Sequence, residues 1–306
     1  MSAATVRRAD LRFRIGLNLR SVLGRAYPRV IGANREPSWI LFEAILPLLG
    51  IAAYVFIYQS FGAAALASAA DPDQVRANTN ALVASVVLGG TMVAFWLNVL
   101  WSMASQLYWE KEIGNLQLYM MAPMSRMALL GGMAVGGMFM TSVRAIATLV
   151  AGIVVFGVVF QIVDIWLLLA VFFVTLTALY GMGMMFASLY LLWGREAWNL
   201  SALMEEPIFF SSGFYFPIGG LRTAGIWGSA VAFAGSIIPA GLGLDAMRQL
   251  TLGPTAFGGQ LWIFTVPVEL ELLLLLAVVF LILASYCLAY LETLAKREGK
   301  LTSRHQ

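Results

Sequence analysis

The amino-acid sequence predicts an all-α polytopic membrane protein. It has six transmembrane helices, an N-terminal interfacial amphipathic helix and a re-entrant segment before the last helix. Three observations carry this expectation. Of 306 residues, 60% are hydrophobic and only 11% charged, against about 25% charged in soluble domains. A soluble globule of this length could not hide so much apolar surface. Apolar runs long enough to cross a bilayer, roughly 20 residues each, recur along the chain. Lys and Arg gather in alternate connectors, the signature of a fixed membrane orientation.

Residues 1–37 form a basic arm with eight Arg against Asp10 and Glu36. The first apolar run starts near residue 38, too late for a usual cleavable leader. Leu11, Ile15, Leu19, Val22 and Ala26 share one helical face, with Arg14, Asn18 and Arg25 beside it, while Phe13 and Leu17 fall off it. That pattern predicts a helix lying on anionic lipid.

The first span is read over 38–60, followed by the polar loop Asp71-Pro72-Asp73-Gln74-Val75-Arg76. The second covers 81–106. A charged connector, 107–126, comes next. The third apolar run, 127–160, exceeds one crossing, so its helix must tilt or project. Asp164 marks a turn before the fourth span, 165–193. Gly194-Arg195-Glu196 separates that from the fifth, 197–217. The last covers 267–291 and leaves a basic tail, 292–306.

The run 224–243 is ambiguous, because it holds five Gly and Pro239. Charge decides. With six spans, fifteen of the nineteen Lys and Arg fall on the side of the N-terminus, including Lys111, Arg126, Arg195 and Lys296. Only Arg76, Arg222 and Arg248 fall opposite. A full crossing at 224–243 would move the basic tail to the other side, against the positive-inside rule. We therefore expect 218–262 to be re-entrant, with surrounding protein satisfying its backbone.

Several function classes are disfavoured. The single Cys, Cys287, and single His, His305, allow neither an internal disulfide nor a Cys/His metal cluster. A Ser-His-Asp triad would need a tail residue. No catalytic residue, no metal and no nucleic-acid partner is expected. The chain has no G-x-x-x-x-G-K-[ST] motif and no soluble stretch of ATPase size, so no cofactor is expected on this chain. Internal repeats, the mark of many secondary transporters, are not evident.

Ionisable residues within spans are costly, roughly 2.5–3.5 kcal/mol each at mid-bilayer. Arg144 in the third span and Glu205 and Glu206 in the fifth are such residues. They could form a structural ion pair or line a polar path. Glu43, Glu269 and Glu271 are read as interfacial. Gly132 and Gly136 form a G-x-x-x-G pair, favouring close packing within the subunit over a dimer contact. Trp96, Trp101, Trp109, Trp193 and Trp198 read as an interfacial belt.

The connector contains Glu110-Lys111-Glu112-Ile113-Gly114-Asn115-Leu116-Gln117, with Pro123 six residues further on. This resembles the cytoplasmic coupling element of ABC-2 type ATP-driven export permeases, commonly E-[KR]-E-x-G-T-L-E. Asn115 and Gln117 stand where Thr and Glu are usual. Ser212, Gly213, Phe216 and Pro217, then Pro239, then Asp245 and Arg248, resemble that family's S-G-x-x-F-P, N-P and E-A-x-R run. Ile238 and Asp245 are the departures. The resemblance implies a permease subunit that pairs with a second permease subunit and with separate ABC ATPase subunits, which would hold ATP and Mg. It implies amphipathic or lipid-like substrates, a bacterial inner-membrane location and both termini in the cytoplasm. It assigns ATPase coupling to Glu110, Lys111, Glu112, Gly114, Asn115, Leu116, Pro123 and Arg126. The alternative is an ATP-independent transporter or channel using Arg144 with Glu205 and Glu206.

Overall fold

The computed structural model describes residues 3–35, 37–253, 256–259 and 261–298, and every regular element among them is helical. Helix α1 spans Ala3–Arg35 and α2 spans Pro37–Leu66. Helix α3, Pro72–Leu97, opens on Asp71, whose carboxylate accepts from the amides of Asp73 and Gln74, with Pro72 at the first helical position. A π-helical turn, Asn98–Met103, joins α3 to α4, Gln106–Ile113. Together they form a rod of 42 residues, about 63 Å long at 1.5 Å per residue. A hydrocarbon core is about 30 Å thick, so this rod must project well beyond it. The expected second span, 81–106, is its central part, and residues 107–113 of the connector continue the same rod.

Helix α5, Asn115–Met121, follows, then α6, Arg126–Val154, and α7, Ile165–Trp193. The last matches the expected fourth span. The third was read to residue 160, but α6 stops at Val154. Residues 155–164 instead fold over the end of another helix: the amides of Gln161 and Val163 donate to the carbonyls of Thr251 and Leu250 at 2.8 and 2.9 Å. Apolar composition could not separate a helix from an apolar loop there.

The expected fifth span is also corrected. Helix α8 covers only Ala197–Ser211, about 22 Å. A left-handed Gly213, φ +61°, ends it in a turn. A 3₁₀ segment, Ile218–Ala224, leads to α9, Gly225–Ile237, and α10, Pro239–Leu252. Residues 218–237 and α10 meet at a bend of 95°. Helix α11, Val266–Arg297, closes the chain. Among the described residues five helices are long and apolar enough to cross a membrane, or six if the bent pair is counted as one span.

Every residue of α10 is buried. A helix wrapped on all sides belongs in a core, and α10 packs against α3, α7, α9 and α11. The main apolar core continues through Phe95, Trp96, Met133, Tyr180, Leu242 and Leu244.

The N-terminal helix is held by the body of the fold. Its middle lies against α6. A Cβ at Gly132 would sit 2.7 Å from Cβ of Arg25 and 2.8 Å from the Val22 carbonyl, and one at Gly136 would sit 3.4 Å from Cα of Ala26. The G-x-x-x-G pair thus seats a helix of the same subunit. Of the expected lipid face, Ala26 is buried here, whereas Ile15 and Leu19 remain exposed. Leu11 and Glu43 lie outside the residues whose side chains are described. Gly132→Val is expected to push α1 away at a cost of about 1–3 kcal/mol. Limited proteolysis should then release residues 1–35 several-fold faster. An unchanged cleavage rate would show that this seat is not tight.

Candidate functional site at the connector

The connector is built around one buried carboxylate. Gly114, at φ +89°, ends α4 in the left-handed conformation and starts α5, so the chain turns at one residue. Across that corner, Asn115 Nδ2 donates to Glu110 Oε2 at 3.1 Å. Arg25 of α1 donates to the other oxygen, Glu110 Oε1, in an ion pair. Arg25 also approaches the Tyr119 hydroxyl at 3.5 Å and stacks over its ring at 5.7 Å. Burial raises the Tyr119 hydroxyl above its ordinary pKa. Further along, Asn18 Oδ1 accepts from the Ser125 amide at 2.9 Å, while Ser125 caps α6 through Ala128. Helix α1 therefore grips both ends of the connector.

A polar stripe continues up the rod from Glu110. Asn98, Ser102, Gln106 and Glu110 recur every four residues. Arg29 donates to Ser102 at 3.3 Å. With its amide oxygen turned towards α1, Gln106 accepts from Arg29 Nη1 at 2.8 Å. Asn98 accepts from the Tyr180 hydroxyl of α7 at 2.9 Å. This stripe, which sequence reading missed, was visible as four polar residues at helical spacing within an apolar run. Its partners on α1 could not be read from spacing alone.

The other side of the connector is tied to the last helix. Arg126 Nε meets Glu292 Oε2 at 2.6 Å, and Lys296 meets Glu292 Oε1 at 2.5 Å.

These contacts redistribute the roles expected for the connector. Glu110, Lys111 and Leu116 are buried, and Glu110 faces inward onto α1 and α5. The exposed surface is apolar at its centre: Ile113, Leu118 and Met121 are 67%, 62% and 75% exposed. Gln117 and Pro123 are exposed beside them. Exposed apolar groups of this kind occur at protein-contact and membrane-contact surfaces alike.

The second resembling run comes together elsewhere. Arg248, 1% exposed, sends Nη1 to the carbonyls of Gly213 and Phe216 at 2.9 and 3.1 Å. Its Nη2 reaches Ser85 and Phe214, both at 2.9 Å. Ser212 and Gly213 supply that turn, Phe216 and Pro217 close it, and Pro239 starts α10 against it. A Cβ at Gly89 of α3 would collide with the Phe214 carbonyl. Asp245 Oδ2 accepts from the Ile263 amide at 2.8 Å. Gln249 bridges the Phe264 carbonyl, at 2.9 Å, to Glu269, at 3.0 Å. Both ionisable residues are enclosed by protein: Arg248 is a buried clasp on the turn, and Glu269 is fully buried. Glu271 is exposed.

The structure does not bring the intramembrane ionisable residues into one cluster. Glu205 accepts from Trp101 Nε1 at 3.0 Å, while Arg144 lies in the field of Tyr180. Helix α8 packs on the π-helical turn, α7 and α9, whereas α6 packs chiefly on α1, α2 and α3. Trp101 and Trp109 are exposed, but Trp96 is completely buried and does not belong to a belt. Among the described residues no group of three metal-binding side chains occurs.

No protein-family model matches the chain, and no curated protein matches it.

Proposed function

We propose that this chain is the membrane-spanning subunit of an ABC-2 type exporter, driven by ATP hydrolysed on a separate subunit. The observation that supports this most is the built connector. A short helix at the end of a projecting rod presents an apolar knob, and its buried face is fixed to α1, to the rod and to the entry of α6. A push on that knob would pass into two long helices at once, as a transmission element requires. In this reading Ile113, Gln117, Leu118 and Met121 enter a cleft of the ATPase, and Glu110 holds the element's shape. Two permease subunits pair with two ATPase subunits, which carry the ATP and Mg. An amphipathic or lipid-like substrate moves outward across the bacterial inner membrane.

The topology follows from the same reading. Helix α8 with the 3₁₀ segment makes the fifth crossing, α9 and α10 re-enter from the outer side, and both termini are cytoplasmic. Phe13, Ile15, Leu19, Leu23 and Tyr27, all exposed on α1, rest on the inner leaflet. In a Cys287→Ser background, a cysteine at Ser303 is expected to resist an impermeant thiol reagent applied to intact cells, and one at Ser229 to react. Labelling at 303 would remove the six-crossing layout.

The function is tested by purifying the full chain from its native membranes. An ATP-hydrolysing polypeptide with its own phosphate-binding loop should accompany it. Leu118→Asp with Met121→Asp should release that polypeptide without loss of the membrane subunit. If no ATPase accompanies the chain, or if it stays bound to the double variant, this assignment of the knob fails.

A further inference from the structure

We propose that the cavity between α3, α6, α7 and α10 is a binding site for one acyl chain of a bilayer phospholipid. The cavity holds about 410 Å³, within the range of roughly 300–1,000 Å³ usual for small-molecule sites. It has room for about a dozen groups the size of a water molecule.

Its lining excludes most other ligands. Three hydroxyls face it, those of Thr91, Ser142 and Thr251. Each is already bonded to its own helix: Thr91 to the Leu88 carbonyl at 2.6 Å, Ser142 to Met138 at 2.8 Å and Thr251 to Met247 at 2.7 Å. No charged side chain lines the cavity. With their hydrogens committed, these hydroxyls can only accept, so a polar ligand entering the cavity would lose its water and find few replacement partners. Water itself needs two to four polar partners and finds too few. Hydrocarbon has no such demand.

The position of the mouth identifies the source of that hydrocarbon. The walls from α3 and α10 are closed, with Leu88, Met247 and Thr251 all buried. The rim is exposed and apolar: Ile146 and Ile153 of α6, Ile162 of the following segment and Leu169 of α7. Helices α6 and α7 are consecutive, yet each packs mainly on other partners, α6 on α1 and α3, and α7 on α11 and α10. The gap left between them opens sideways from two apolar helices that are both long enough to cross a membrane. Acyl chains are the molecules present at high concentration along such a face. An inserted chain also reaches Met247, the neighbour of the Arg248 clasp, so occupancy would brace α10 beside that clasp. This inference needs only that the chain spans a bilayer, and stands or falls separately from the ATPase assignment.

The test places the full chain in nanodiscs of palmitoyl-oleoyl phosphatidylethanolamine and phosphatidylglycerol. A trace of phosphatidylglycerol carries a photoreactive diazirine near the end of one acyl chain. After illumination, peptide mapping should find adducts on Met247 or Thr251, which the bilayer reaches only through the cavity. Ala145→Phe, which fills the space, should reduce those adducts at least fivefold while leaving adducts on exposed positions of α11 unchanged. Should that variant not fold, Ile146→Trp, on the exposed rim, closes the mouth and gives the same comparison. Adducts confined to exposed faces, or equal in wild type and variant, would overturn the proposal. Labelling of Met247 by a diazirine-bearing alkane but not by the phospholipid would also overturn it, and would reassign the cavity to free apolar molecules.

Discussion

Arg248→Ala is expected to lower the thermal midpoint of the detergent-solubilised protein by about 10 °C or more, or to prevent its accumulation. The side chain satisfies four backbone carbonyls from two separate segments. A buried acceptor left without a donor costs about 1–3 kcal/mol. The Gly213 carbonyl also accepts from the Phe216 amide, and that of Ser85 lies within α3. The other two, of Phe214 and Phe216, give roughly 2–6 kcal/mol, and 1 kcal/mol moves the midpoint of a domain of this order by about 2–4 °C. The variant also removes the cation nearest Asp245. Arg248→Lys is expected to fall between, since an ammonium offers three donors without the fork that spans Gly213 and Phe214. Differential scanning fluorimetry on both variants checks this. A midpoint for Arg248→Ala within about 1 °C of wild type would mean that water or a neighbour replaces the clasp.

The second large effect is expected at Arg25 and Glu110. Glu110→Gln keeps the shape and the Asn115 contact but leaves the Arg25 guanidinium without its counter-charge. Arg25→Met leaves the carboxylate in the same position. Each single variant should destabilise by about 1–3 kcal/mol, because breaking one side of a largely buried pair strands the other. The double variant should recover part of that loss, since both desolvation costs disappear together. Coupling energies for residues in contact are about 0.5–3 kcal/mol. In the proposed assembly the single variants should also cut substrate-stimulated ATP turnover far more than they cut ATPase binding. Additive midpoints across the cycle would show that α1 and the connector are not joined through this pair.

Much of the fold was legible because a bilayer imposes strong rules. Length and hydropathy placed the helices that became α2, α3, α6, α7 and α11, and the turn read at Asp164 falls where α7 begins; the stretch from Asp71 to Arg76, read as a loop, instead caps and opens α3. What failed did so for a physical reason. The segments 155–160 and 212–217 are as apolar as spans but are not continuous helix. Their backbone groups find other partners: Val159 pairs with the Asn80 side chain, and the 213–216 carbonyls with Arg248, both far away in sequence. The site was half legible. Gly114 and Pro123 marked the connector as turn-bounded, but charge suggested that Glu110 and Lys111 face outward, while burial turns them in. Asn18, Arg25 and Arg29 looked like a basic lipid-facing arm because nothing in their spacing reveals the polar stripe on the rod. Glu269 looked interfacial from its position in the first turn of α11, yet Gln249 draws it into the core.

The proposed exporter depends on the knob on α5 being the contact surface for an ATPase. The most direct measurement is site-specific photocrosslinking in intact cells, with a photoreactive residue at Leu118 and, as a comparison, at Tyr290 on the exposed face of α11. The account predicts one dominant adduct from position 118, with a polypeptide whose sequence contains a G-x-x-x-x-G-K-[ST] loop, and a change in its yield when ATP is depleted. It predicts no such adduct from position 290. An adduct at 118 with lipid alone, or with a protein that has no nucleotide-binding loop, would contradict it.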